Sequence, residues 1–144
     1  MKRMMVAVCL LVLTAGFALA APTVASSVPA FPKTLINAKY VYVTSYDGNE
    51  FNFDVLPQDR EAIGNVQRAL ENWGRYIIVY NPRQADMIVA VQSRGSEDVL
   101  AVYDPHFGVG STYLWRAMSH GGLDRSEMPI IAELRQAVEA ADVK

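Results

Sequence analysis

Two rhythms of apolar residues run along the chain. In AKYVYVTSY (38–46) side chains alternate at period two and are rich in β-branched and aromatic types, which predicts a strand. Asp47-Gly48 then ends it with turn chemistry. FNFDV (51–55) reads equally as a short return strand or as an irregular connection. From Pro57 the rhythm changes: Ala62, Ile63, Val66, Ala69, Leu70 and Trp73 fall on one stripe at helical spacing. Pro57 suits a first turn, Asp59 and Glu61 lie near the positive end of the helix dipole, and Gly74 stands where a left-handed cap ends a helix.

Period two then returns. YIIVY (76–80) and DMIVAVQS (86–93) predict strands joined through Asn81-Pro82, a connection short enough for antiparallel neighbours. RGSED (94–98) reads as a polar turn. VLAVYD (99–104) and STYLWRA (111–117) predict two more strands around a glycine-containing loop. Residues 126–143 predict a closing helix, capped by Ser126 or Asp124, with Met128, Ile131, Leu134 and Val138 on its apolar side. Strand, helix and strand at the start predict a parallel pair with a right-handed crossover, and the later hairpins make the sheet mixed. The expected class is α+β: a two-layer sandwich, a mixed sheet of about five strands with two helices on one face.

The first residues bear on where the chain works. Lys2 and Arg3, an apolar run from Met4 to Thr14 and the small-x-small Ala18-Leu19-Ala20 predict a signal peptide over 1–20. Residues 21–34 hold three prolines among small residues and predict a flexible tether, leaving 35–144 as a single domain. The single cysteine, Cys9, lies within the apolar run rather than at its end, so a lipid-anchored cysteine is not expected. The expected product is exported, periplasmic or extracellular, with no membrane span after cleavage and no thiol for disulfide, zinc or nucleophile chemistry. Its folding then rests on an apolar core, which 51% hydrophobic residues allow. Without Lys2 and Arg3, 11 of the 13 basic residues stand against 15 acidic ones, a net charge of −4. The basic residues are scattered, which excludes a nucleic-acid surface and an anionic-membrane surface.

Candidate chemistry is sparse. Asp104 and His106 in DPHFGVGS, with His120 in SHGGL, are the set a small hydrolase or metal-dependent enzyme would draw on, provided the fold brings them together. Neither Ser111 nor Ser119 has a G-x-S-x-G context. GVGS (108–111) lacks the lysine and the following helix of a phosphate loop. DGNE (47–50) is followed by Phe51 and Phe53 where a calcium loop places ligands. Asp59, Arg60 and Glu61 read as helix-start electrostatics, and Arg75 as a structural ion pair. No metal site and no cofactor follow from these residues.

Alternation also distributes the tyrosines. Tyr40, Tyr42 and Tyr46 oppose Val41 and Val43, Tyr76 and Tyr80 oppose Ile77 and Val79, and Tyr103 opposes Leu100 and Val102. The aliphatic side is the natural helix-facing core, so the six tyrosines are expected on the other face. Tyrosine suits a half-wet face, because its ring covers backbone while its hydroxyl stays solvated. Such aromatic pairs can serve strand pairing alone, or form a recognition platform for an envelope protein, a glycan or a second copy. An edge strand could also recruit an extended peptide.

The Asp59-Arg60 helix start, WGRY at 73–76, Ala85-Asp86 before an apolar strand, and Tyr103-Asp104-Pro105 with Leu114-Trp115-Arg116 give the chain from Tyr40 onward a family likeness. It resembles a family of exported, uncharacterised bacterial proteins. The last pair of motifs is similar to the strand-Asp-turn-Trp-strand hairpin of domains of unknown function in bacterial envelope lipoproteins. The topology resembles small α/β domains of envelope assembly proteins such as the curli-secretion lipoprotein. The resemblance implies a non-enzymatic envelope role and transfers no catalytic residue, and the lipid-attachment cysteine is missing here. The expected function is a non-catalytic binding or envelope-assembly module acting through the tyrosine-rich face. The alternative is an enzyme using Asp104, His106 and His120.

Overall fold

The computed structural model describes residues 29–121, 123 and 128–143. The expected signal peptide, residues 21–28 of the expected tether and the expected caps Asp124 and Ser126 lie outside the described residues. Five strands form one mixed sheet: β1 (Tyr40–Ser45), β2 (Ile77–Ile78), β3 (Met87–Arg94), β4 (Glu97–Tyr103) and β5 (Trp115–Ser119). Their spatial order is β2-β1-β3-β4-β5. Two helices, α1 (Pro57–Trp73) and α2 (Pro129–Asp142), complete the expected α+β arrangement.

α1 has the bounds its sequence signals predict. Pro57 occupies the first turn, and Gly74 closes the helix at φ 76°, a left-handed conformation that costs glycine little. Ala62, Ile63, Val66 and Leu70 are buried from α1, and Ile130, Ile131, Leu134, Ala137 and Val138 from α2. They share one core with Val41, Val43, Met87, Val89, Val91, Leu100, Val102, Trp115 and Ala117, so both helices cover the same face of the sheet. α1 packs over β1, β2 and β3, and α2 over β5.

Two expectations are corrected, and one open reading is decided. β2 and β3 are not an antiparallel hairpin: each pairs with β1 in parallel, on opposite edges. The reason lies in the connection. β2 lasts two residues, and after Asn81 caps the 3₁₀ turn Pro82–Gln84 the chain returns to the start of β1. There the Asp86 carboxylate accepts from Lys39 N–H (2.9 Å) and Tyr40 N–H (3.0 Å), while Asp86 N–H donates to Tyr40 O. A short link therefore joins two strands that flank a third. Residues 51–55 form no strand but a series of turns. Finally, the last residues of the stretch read as a tether pack onto the domain. Phe31 and Leu35 are buried, and Trp115 Nε1 donates to Pro29 O at 2.8 Å, so packed structure begins before Leu35.

The end of the sheet nearest the start of α1 is closed by a buried polar bracket. Asp59, read as helix-start electrostatics, is fully buried. Its carboxylate accepts from Ser93 N–H (2.7 Å) and from Arg94 Nη1 (2.8 Å), and Arg94 reaches on to Asp47 (3.5 Å). The Ser93 hydroxyl donates to Asp98 Oδ1 (2.8 Å), and Asp98 Oδ2 accepts from Leu123 N–H (3.0 Å). Asp98 is likewise buried. Arg60, the next residue of the helix, turns outward and donates to Asn52 O and Val55 O.

Removing the Asp59 carboxylate strands the buried Ser93 N–H, which costs about 1–3 kcal/mol, while the part-exposed Arg94 keeps Asp47 and the Ser93 carbonyl. Asp59→Ala is therefore expected to lower the denaturant midpoint, whereas Glu61→Ala on the exposed side of the same turn changes it little. Asp86 predicts a pH effect. The Lys39 and Tyr40 amides hold its carboxylate below the ordinary 3.8. A depressed folded-state pKa contributes stability that is present above the unfolded value and lost as pH falls through the folded one. Asp86→Asn should melt below the wild type at pH 7, and the gap should close on acidification below about pH 4. Thermal melts across that range test this. A gap independent of pH would mean that charge does not hold the strand start.

Candidate functional site

The face of the sheet away from the helices is built in three rows by the register. Tyr42, Ile88 and Tyr103 lie side by side; next come Thr44, Ala90, Ala101 and Arg116; then Gln92, Val99 and Met118. Tyr42, Ile88, Ala90, Ala101 and Tyr103 form a second buried cluster, distinct from the helix-side core, with Val79, Ala85 and Val109 packed against it. Ala90 and Ala101 are fully buried although none of the described helices lies over them. Two alanines side by side leave room for larger side chains on either side to close over the sheet.

The Tyr46 and Tyr103 rings meet edge to face, with centroids 6.3 Å apart, and the Tyr103 hydroxyl donates to the Tyr46 hydroxyl at 3.2 Å. Burial, with Tyr46 beside it, holds the Tyr103 proton on well above the usual tyrosine range, against the opposing pull of Arg116. Tyr103 therefore serves as a hydrogen-bond donor and not as a base. Arg116 stands over the Tyr113 ring, 5.8 Å from its centroid, and its buried Nε has no hydrogen-bond partner among the described residues. Tyr40, Tyr46, Tyr113, Leu114 and Met118 are exposed around these groups.

Of the six tyrosines expected on this face, Tyr40, Tyr42, Tyr46 and Tyr103 are there. Tyr40 is 43% exposed, whereas Tyr42 is only 9% exposed and belongs to the packed cluster. Tyr76 is on the other side, buried in the helix-side core with its ring edge to face on Trp73 at 5.2 Å. The faces of this stretch are the reverse of the expectation: Ile78 joins Tyr76 against the helix-side core, Val79 joins the second cluster, and Ile77 is exposed. The left-handed cap at Gly74 delivers the chain to the sheet only two residues earlier, so Tyr76 lands beneath the helix end it has just left. Tyr80 follows the end of β2 and is exposed.

Asp104 and His106 make a local contact, Nδ1 to Oδ1 at 2.7 Å, on the exposed β4–β5 loop. The Asp104 carboxylate also accepts the His106 N–H, and this, with the ring contact, holds it below the usual range, as suits a turn acceptor. His120 follows Ser119, which pairs with Asp98 at the far end of β4. The two histidines thus flank opposite ends of a strand, about 17 Å apart along it, and the fold does not bring them together. Among the described residues, no group of three or more His, Cys, Asp or Glu is placed to hold a metal ion. No described helix is long and apolar enough to cross a membrane. A cleft of about 420 Å³ between residues 29–33 and α2 is lined by Phe31, Lys33, Gln136 and Ala140 and includes none of these residues. Arg75 donates to Asp142 (3.1 Å) and Ile36 O (2.9 Å), the structural pairing its place suggests.

The expected strand 111–117 includes Arg116 without fixing its face and stops short of Met118; the register of β5 places both on this face. No protein-family model, no curated protein and no solved structure matches the chain. The burial difference predicts unequal variants. Tyr42→Ser removes a packed ring and should cost about 3 kcal/mol, while Tyr40→Ser stays within about 0.5 kcal/mol. Urea unfolding of both variants checks this; equal costs would mean that the second cluster is not a packed unit.

Proposed function

We propose that this chain is an exported, non-catalytic binding module that meets an envelope protein through the helix-free face of its sheet. The observation that carries the reading is the composition of that face. A packed centre, Tyr42, Ile88, Ala90, Ala101 and Tyr103, is ringed by exposed Tyr40, Tyr46, Tyr113, Leu114 and Met118, with none of the described helices over it. Contiguous exposed apolar and aromatic side chains on a rigid sheet are the composition of protein contact surfaces. Arg116 adds a guanidinium without an ion pair among the described residues, open to a carboxylate on the partner. Among the described residues of this face the Tyr103 hydroxyl donates to Tyr46, and the Asp104–His106 contact stands alone on an exposed loop. The resemblance to exported envelope proteins points the same way.

The test uses exposed residues, because substituting Tyr42 would confound binding with folding. A Tyr40→Ser, Met118→Ser double variant is expected to keep the wild-type melting temperature. It should lose, by at least about tenfold, the protein that the wild-type chain retains from a cell-envelope extract. Retention by the double variant at wild-type level would overturn the assignment of this face.

A further inference from the structure

A second apolar feature is a loop and not a face. Residues 46–56 join β1 to α1, and their backbone is pinned along its length. Ser45 and Gly48 exchange backbone hydrogen bonds. The Asn49 and Asn52 side-chain oxygens accept from Phe51 N–H (3.0 Å) and Asp54 N–H (3.1 Å), and Asn52 Nδ2 donates to Asp47 O (3.1 Å). Arg60 holds the loop from α1, Gln67 donates to Glu50, and buried Val55 anchors the far end. Gly48, at φ 133°, lies so close to Asn52 that a Cβ would meet Nδ2 at 2.6 Å. Within this frame Phe51 is 72% exposed and Phe53 98%. Burying such a ring is favourable, so holding it in water runs against the hydrophobic effect. A slack loop would fold its rings back; this one holds them in water.

We propose that the 46–56 loop is a docking spur whose Phe51 and Phe53 rings enter an apolar slot, rimmed by Lys or Arg, on a protein partner. Charge selects that occupant. Residues 47–54 hold Asp47, Glu50 and Asp54 and no basic residue. Arg94, bonded to Asp47, and Arg60, on the Asn52 and Val55 carbonyls, offset part of that charge. Glu50 and Asp54 are left without an ion pair among the described residues. An anionic lipid surface repels such a loop, and two copies meeting spur to spur would bring like charges together. A basic rim complements Glu50 and Asp54 while the slot takes the rings. The spur adjoins the helix-free face at Tyr46, but Phe51 and Phe53 lie apart from Tyr40 and Met118, so the two surfaces separate in the test.

The experiment places p-benzoylphenylalanine at position 53 of the full exported chain and crosslinks it by light in intact cells. Flotation on vesicles of phosphatidylcholine, with and without phosphatidylglycerol, runs in parallel. The expected result is one protein adduct whose crosslinked segment carries Lys or Arg. Phe51→Ser, and separately the pair Glu50→Lys, Asp54→Lys, should reduce it at least about tenfold, and about 0.5 M salt should weaken it. The Tyr40→Ser, Met118→Ser variant should leave it unchanged. A lipid adduct or flotation with vesicles, an adduct with a second copy of the chain, an adduct indifferent to charge reversal, or no adduct would each overturn the proposal. Unchanged melting temperatures of the variants exclude loss of folding as the cause.

Discussion

Ser93 stands between two buried carboxylates, and the closed end of the domain depends on that placement. Its N–H serves Asp59 and its hydroxyl serves Asp98, so one residue of β3 satisfies acids from α1 and β4 at once. Arg94 supplies the cation, and Asp98 passes the chain on to Leu123, in the connection to α2. An isolated carboxylate in such a place would cost several kcal/mol. Here the first turn of one helix, the β3–β4 hairpin and the lead-in to the second helix must be in register for both acids to be satisfied. Exchange of such a network for apolar residues need not weaken a fold. What the network adds is direction, because an apolar patch tolerates slippage that a shared serine does not.

The sheet is unequal on its two sides for reasons that also begin locally. Parallel pairing of β2 with β1 follows from the crossover through α1, and that of β3 with β1 from the Asp86 clamp at the start of β1; parallel strands want cover. α1 provides it on one side. On the other, cover comes from the sheet's own residues: small Ala90 and Ala101 beneath larger neighbours, and Val109 from the β4–β5 loop. Tyr42 and Tyr103 have joined this packing, which leaves the outer tyrosines and Met118 as the part of the face open to contact.

The alternation in β1 and β4 was legible because each strand sits in mid-sheet with helices on one side, where period two maps onto inside and outside. β2 defeated the same logic. Two residues long and at an edge, it takes its facing from the helix cap before it and not from its own pattern. Pairing partners were hidden for a related reason: periodicity reports which way side chains point and is silent on which strand lies alongside. The short Asn81-Pro82 link implied a hairpin, and only the bonds of Asp86 show why the chain crosses instead. Asp59 misled in another way. An acid in a first turn satisfies the dipole argument wherever it points, so sequence could not separate a surface charge from a buried acceptor. Phe51 and Phe53 fit a short strand or an irregular connection equally, because two apolar residues at period two are too few to choose; the hydrogen bonds of Asn49 and Asn52 decide for turns.

The two candidate surfaces meet at neighbouring residues. Tyr46 lays its ring against Tyr103 on the helix-free face, and Asp47 reaches Arg94 in the buried bracket and receives the Asn52 amide of the loop. The backbone between them is therefore fixed from both sides, by aromatic packing and by an ion pair with Arg94. A partner that displaced Tyr46 would pull on the residue that positions the spur, and one that seized the spur would pull on the edge of the face. Each surface is preorganised by contacts the other does not supply, which lowers the entropy lost on binding at either. The rigidity that keeps the phenylalanines in water and the packing that buries Tyr103 thus serve one end: side chains held ready for a partner before it arrives.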